Sequence, residues 1–230
     1  MMAEKRKVVS GLAERGYCEY ANGKTVYMKE DITVIKHGDL PYWWYEDKAA
    51  RGYYDEAKRL RKVFIPKSVI GLDYEAFLSA EPLVEVCFED YSGLTYIGEK
   101  AFSRCRSLKE FDFAPLDSLR WIGDNAFENT GLEFIDLRKS CASVGRGAFA
   151  DNEDLLTVFW NHFNEIIQDG CFSGCSNLLS ITGADWVRYV GRDAFKDCTS
   201  LVKTDLDFSD CYIEKEGNDP ILKLRAMNKK

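Results

Sequence analysis

One segment returns along this chain at nearly constant spacing, and each return keeps the same internal order. "IGEKAFSRCRSLKEFDF" runs from Ile97 to Phe113, "IGDNAFENTGLEFIDL" from Ile122 to Leu137 and "VGRGAFADNEDLLTVFW" from Val144 to Trp160. "IQDGCFSGCSNLLSIT" runs from Ile167 to Thr182 and "VGRDAFKDCTSLVKTDL" from Val190 to Leu206. "LDYEAFLSAEPLVEVCF", Leu72 to Phe88, is a looser copy, and "LRKVFIP" from Leu60 to Pro66 repeats only the closing half. The anchoring aromatics are Tyr54, Phe77, Phe102, Phe127, Phe149, Phe172 and Phe195, spaced 23, 25, 25, 22, 23 and 23 residues apart. A period of this size dictates an array of stacked coils, because no single coil can bury its own apolar face.

Each position in the unit has a physical role. Leu108, Phe111 and Phe113 follow the spacing L-x-x-apolar-x-apolar, as do Leu132, Ile135 and Leu137, and Leu83, Val86 and Phe88. The last part alternates with the period of a β-strand, so each coil is expected to give one strand to a parallel ladder with ~4.8 Å between rungs. Ala76, Ala101, Ala126, Ala148 and Ala194 are small where neighbouring coils approach, and the phenylalanine after each is expected to stack on its equivalents. The third residue after the aromatic is Ala80, Cys105, Thr130, Asn152, Cys175 or Cys198. A small, weakly polar side chain there can pack inside or satisfy loop backbone. Gly98, Gly123, Gly145 and Gly191 open their coils, where a tight turn is expected.

The unit resembles the BspA-type leucine-rich repeat, "I-G-x-x-A-F-x-x-C-x-x-L-x-x-I-x-I-P". Leu60, Val63, Ile65 and Pro66 carry its closing half, and Val190-Gly191, Ala194-Phe195, Cys198 and Leu201 its opening half. The likeness spans roughly residues 60–206. It implies a right-handed leucine-rich repeat solenoid with a parallel β-sheet on one face, here of about seven coils. Many members are secreted or surface proteins that bind host proteins or matrix, and the family transfers no catalytic residues.

An array needs covered ends. Residues 1–52 read as an α+β N-terminal cap, residues 53–207 as the array and residues 208–230 as a C-terminal cap with a basic tail. In the N-terminal cap, Tyr17–Tyr20, Asn22-Gly23 and Thr25–Met28 suggest a β-hairpin with a two-residue type I′ turn. Ile32–Ile35 is a candidate third strand, Tyr42-Trp43-Trp44-Tyr45 a cover for the first coil, and residues 46–60 a short helix.

Charge and composition restrict the function. The net charge of −7 is uneven: +1 over residues 1–60, −10 over 61–210 and +2 over 211–230. An acidic array repels phosphate backbones, so nucleic acid is excluded as a partner and a basic protein surface is favoured. No apolar run approaches the ~20 residues of a spanning helix, so no membrane insertion is expected. The opening "MMAEKRKVVSGLAERG" lacks the apolar core of a secretory leader, so a cytoplasmic location is expected. The repeats do not fix an oligomeric state.

Chemistry is sparse. Only two histidines occur, His37 and His162, and nothing in the repeat brings either beside one of the eight cysteines. Cys171 and Cys175 have a spacing found at some metal sites, with Cys198 one coil on. Core packing is the favoured reading for all three, a metal pair or a Cys175–Cys198 disulfide the alternatives. Asp151, Glu153 and Asp154 read as solvated loop charge. No Gly-rich phosphate cradle is present, so no cofactor and no metal are expected.

Binding is then the expected function, through the sheet. Its outward residues form two rows. The first contains Glu85, Glu110, Phe134 and Thr157, the second Asp112, Asp136 and Phe159. Glu85, Glu110, Asp112 and Asp136 make an acidic strip, and Phe134 and Phe159 lie diagonally beside it. Aromatics flanked by charge are the usual makeup of a binding hot spot. The leading expectation is an adaptor or fixed subunit of a larger assembly. An inhibitor of a basic protein and a surface adhesin lacking its leader are the alternatives, and an enzyme is the least favoured class.

Overall fold

A computed structural model describes residues 18–21, 25–28, 32–36, 61–90, 92–140, 143–206 and 212–213. They form a solenoid of about six coils built from short strands, and no helix occurs among the described residues. The chain enters through β1 (Cys18–Ala21) and β2 (Thr25–Met28), then β3 (Val34–Ile35), β4 (Lys62–Ile65), β5 (Gly71–Leu72) and β6 (Glu85–Phe88). It continues through β7 (Tyr96–Ile97), β8 (Trp121–Ile122), β9 (Phe134–Asp136), β10 (Ser143–Val144) and β11 (Thr157–Phe159). It ends with β12 (Ile166–Ile167), β13 (Ser180–Thr182), β14 (Tyr189–Val190), β15 (Lys203–Thr204) and β16 (Tyr212–Ile213).

The strands stack in two parallel columns where the sequence suggested one. A long-strand column contains β2, β4 and β6, and after a gap β9, β11, β13 and β15. A short-strand column holds β3, β5, β7, β8 and β10, and after its own gap β12, β14 and β16. The short strands are the apolar pairs before each Gly-x-x-Ala-Phe. Their second residues, such as Ile97, Ile122 and Val190, are buried. The expected hairpin is present, with β1 and β2 antiparallel. Ala21 pairs with Thr25, which leaves residues 22–24 between the strands in place of a two-residue turn. β2 pairs in parallel with β4 and β3 with β5, so both columns start inside the segment read as a cap. The expected helix at 46–60, the Tyr42–Tyr45 cluster and the Tyr54 copy lie outside the described residues. So does the C-terminal cap apart from β16.

The core is a single file of rings. Phe77, Phe102, Phe127, Phe149, Phe172 and Phe195 are fully buried, and successive centroids lie 4.9, 5.1, 5.5, 5.7 and 5.5 Å apart. Interplanar angles of 4–19° make the rings near-parallel. Each pair adds about 0.5–1.5 kcal/mol beyond its area burial.

Beside the rings runs a third, unbroken column of hydrogen bonds. In every coil the N–H groups at the phenylalanine and at the residues two before and two after it face the next coil. Phe77, Phe102, Phe127, Phe149 and Phe172 donate to Ala101, Ala126, Ala148, Cys171 and Ala194 at 2.7–3.0 Å. The two flanking residues are left-handed in every coil: Glu75 and Ser79 around Phe77, Lys100 and Arg104 around Phe102, Asp193 and Asp197 around Phe195. The glycines expected to make tight turns serve differently. A Cβ on Gly98 would lie 2.6 Å from the Asp73 backbone, so glycine is needed there because two coils nearly touch.

The position three after each ring closes a further bond between coils. Cys105, Cys175 and Cys198 donate their thiols to the carbonyls of Phe77, Phe149 and Phe172 at 3.1, 3.1 and 3.0 Å. Asn152 does the same work with an amide, donating to Phe127 and Phe149 at 2.8 and 2.9 Å. Its Oδ1 accepts the Thr130 N–H at 2.9 Å and the Thr130 hydroxyl.

The gap in the long-strand column falls at residues 109–113. Phe111 stands where neighbouring coils have Val86 and Ile135, and Phe113 follows it inward. The two rings lie 4.7 Å apart, and both press on Phe127. Asp112 accepts the Ala114 N–H at 2.8 Å and turns the chain away. Phe111 and Phe113 take the two inward places that Val86 and Phe88 hold in the coil before and Ile135 and Leu137 in the coil after, while the backbone at 109–113 stays out of the ladder.

Candidate binding face

The long-strand column presents the face singled out from the sequence. Pairing places Lys62 beside Glu85, and Phe134, Thr157, Ser180 and Lys203 side by side in successive coils. In the second row Asp136, Phe159 and Thr182 are neighbours. Phe134 and Phe159 are therefore diagonal across β9 and β11, and Phe134 is 42% exposed. Glu110 and Asp112 point outward as expected, but from the interruption and not from a strand.

The acidic strip is not uniform. Glu85 meets Lys62 at 2.6 Å and accepts the Cys87 thiol at 3.1 Å. The Lys62 hydrogen bond, then that of Cys87, holds the Glu85 carboxyl below its ordinary range. Asp136 accepts Arg138 Nε at 2.9 Å and Arg138 NH2 at 2.6 Å, a two-point grip that lowers the carboxyl's pKa. The same guanidinium lies 4.5 Å from the Phe159 ring centroid. Phe159 is half-buried and capped by a cation, which leaves Phe134 as the bare aromatic of the pair. Glu110 and Asp112 carry no ion pair among the described residues. Two of the carboxylates without an ion pair thus share one coil, and a third, Asp205, stands exposed in the last coil, where it accepts the Gly183 N–H at 3.0 Å.

Three features were not read from the sequence. Arg138 sits just past the strand and folds back over Phe159. The two positions between each leucine and the next inward residue both face out, so the face has a third row containing Leu156, Leu179 and Val202. The L-x-x-V spacing already implied this, since two residues separate two inward ones. Phe163 projects into solvent at a corner, 76% exposed, with the Phe163 N–H donated to the buried Asn161 side chain at 2.6 Å.

Among the described residues, most cysteines are buried. Cys171 and Cys175 are fully buried; burial drives the Cys171 thiol well above its ordinary value and pushes Cys175 up to about 12. Cys105, Cys171 and Cys175 are outside disulfides. Burial, then hydrogen bonding to Glu85, raises the half-buried Cys87. His162 Nδ1 lies 3.4 Å from Asp185. No group of three or more metal-ligating side chains occurs among the described residues, nor any helix long and apolar enough to cross a membrane.

The fold has solved counterparts. A leucine-rich repeat protein from T. pallidum matches with a TM-score of 0.61 and 24% identity over 80% of each chain. A leucine-rich repeat protein from Bacteroides ovatus matches with a TM-score of 0.60 and 21% identity, over 93% of this chain and 54% of that one. At these identities the likeness is one of fold. No curated protein matches the sequence. The BspA type leucine-rich repeat region matches in six copies over residues 50–156 and 75–202. Together with the file of stacked phenylalanines, that match shows that the chain belongs to the BspA-type leucine-rich repeat family.

Proposed function

We propose that the chain is a non-enzymatic binding module, an adaptor or subunit of a larger assembly, whose long-strand face takes a partner protein with a basic surface. The observation that carries this is the juxtaposition of Glu110 and Asp112, exposed and without ion pairs among the described residues, with the bare ring of Phe134 one coil away. Free carboxylates speed the encounter with a cationic partner and select it, while a desolvated aromatic supplies affinity. Asp136 and Arg138 orient Phe159, and Thr157 supplies a hydroxyl at the centre. Buried cysteines outside disulfides at Cys105, Cys171 and Cys175 fit a reducing compartment such as the cytoplasm.

The test is capture of partners from the native source by the wild-type chain, Phe134→Ala/Phe159→Ala and Glu110→Gln/Asp112→Asn, at low and high salt. The first variant should lose the partner at both salts. The second should behave at low salt as the wild type does at high salt. Undiminished recovery by both variants would overturn the reading.

A further inference from the structure

The third outward row divides the face. In the early coils it reads Arg61, Val84, Lys109 and Glu133, mostly charged, with Lys109 bound to Glu133 at 2.7 Å. In the last three described coils it is aliphatic: Leu156, Leu179 and Val202 are 45%, 46% and 71% exposed. Their backbones are directly joined, since Leu179 N–H donates to Leu156 at 2.9 Å and Val202 N–H to Leu179 at 3.1 Å. The side chains therefore stand one rung apart, ~4.8 Å. Leu156 precedes Thr157, the register partner of Phe134, so the ridge continues the bare aromatic. Beside it lie hydroxyls, with Ser180 3.4 Å from Thr157, and no charge until the last coil, where Lys203 and Asp205 offset each other. Three aligned, exposed aliphatic side chains are a costly surface unless something covers them.

We propose that this ridge is the apolar half of a two-part docking surface, occupied by one extended segment of a partner protein that is basic at one end and aliphatic at the other. The inference rests on the face assigned above. Charge complementarity fixes the occupant and its direction: the unpaired carboxylates of Glu110 and Asp112 lie on one side of Phe134 and the ridge on the other. From Glu110 to Val202 the face spans four rungs, about 19 Å, which an extended segment of about six residues covers at ~3.3 Å each. A second copy of the chain fits less well. Parallel pairing sets carboxylates against carboxylates, and antiparallel pairing sets them against the ridge.

The experiment uses the full chain, immobilised, and a random dodecapeptide phage library. Selection is followed by anisotropy measurements with labelled winning peptides. The expected winners carry Lys or Arg about three to six residues from a Leu, Ile, Val or Met cluster. Leu179→Ser/Val202→Ser should weaken them at least tenfold at every salt concentration, with an unchanged melting temperature. Glu110→Gln/Asp112→Asn should flatten the salt dependence.

Winners that bind Leu179→Ser/Val202→Ser as well as wild type, yet are lost on Phe134→Ala, would overturn the ridge and leave the face. Winners indifferent to all three variants would overturn both. A selection without winners, or winners lacking basic residues, would refute the stated occupant. A wild-type dimer that Leu179→Ser/Val202→Ser converts to monomer would give the ridge to a second copy instead.

Discussion

The Arg138 guanidinium lies 4.5 Å from the centroid of the Phe159 ring, one coil away. Asp136, the register neighbour of Phe159, holds it there through both carboxylate oxygens. The three groups form one unit, so their substitutions should not add. Arg138→Ala and Asp136→Asn are each expected to lower stability only slightly, because the pair is solvated. The double variant should lose little more than the worse single one, a double-mutant cycle that urea unfolding can measure.

The same unit sets an acid response. Asp136 is held below its ordinary value of 3.8, chiefly by the Arg138 hydrogen bonds. A depressed carboxyl stabilises the fold fully above its unfolded value and loses that contribution as pH falls through the folded one. The melting temperature gap between wild type and Asp136→Asn should thus be present at neutral pH and close as the pH falls below the carboxyl's ordinary value of 3.8. A gap that widens on acidification would contradict the assignment.

Asn152 is the most heavily committed polar side chain of the core. It satisfies the Phe127 and Phe149 carbonyls and the Thr130 N–H from a fully buried position. Asn152→Ala strands the Thr130 N–H and leaves the Phe127 and Phe149 carbonyls with only the Thr130 hydroxyl and the Cys175 thiol, and is expected to cost about 1–3 kcal/mol. Asn152→Cys supplies one thiol donor, as Cys175 does for Phe149, and should fall between alanine and wild type. Chemical denaturation ranks the three.

Much of this was legible because the repeat states it many times. The ring file, the rung spacing and the burial of Cys105, Cys171, Cys175 and Cys198 follow from period and residue size alone. What escaped was set by backbone. The short-strand column offers only two residues per coil, such as Tyr96-Ile97, too few to show alternation. The left-handed pairs around each phenylalanine are filled by Glu, Lys, Arg, Ser, Asn, Asp or Gly, so composition hides them. The interruption at Glu110–Asp112 lies in backbone pairing, which a pattern of "apolar" positions does not record, since Phe111 and Phe113 keep the inward places of the unit. On the candidate face, Glu85 and Asp136 look like bare charge until Lys62 and Arg138 are seen folding onto them.

Those left-handed positions can be tested directly. Arg104 has φ 64° and an exposed side chain. Arg104→Gly removes the Cβ penalty and should stabilise by about 0.5–1 kcal/mol. Gly174 has φ 78°, and a Cβ there would lie 2.2 Å from Asp151 Oδ1. Gly174→Ala should destabilise by about 1–2 kcal/mol. Thermal melts of the two variants should move in opposite directions.

Thiol labelling checks the core. Under native conditions at pH 8, peptide mapping after iodoacetamide treatment should find Cys105, Cys171, Cys175 and Cys198 unmodified. Their thiols are buried, and burial holds Cys105, Cys171 and Cys175 in the protonated form. All four should label in denaturant. Rapid native labelling of any of them would show that the coils open there.

Two of the three hydrogen-bond columns are broken, each at a different coil, while the one beside the phenylalanines runs through every rung. Alignment of the whole array is therefore delegated to a short arc of each turn, about five residues around the ring. The rest of the circumference is released from that duty. Copies of 22, 23 and 25 residues can sit in one stack without disturbing its axis. Descendants of such a chain can lengthen, shorten or redecorate the outer arcs coil by coil, so recognition can diverge quickly while the scaffold keeps its course.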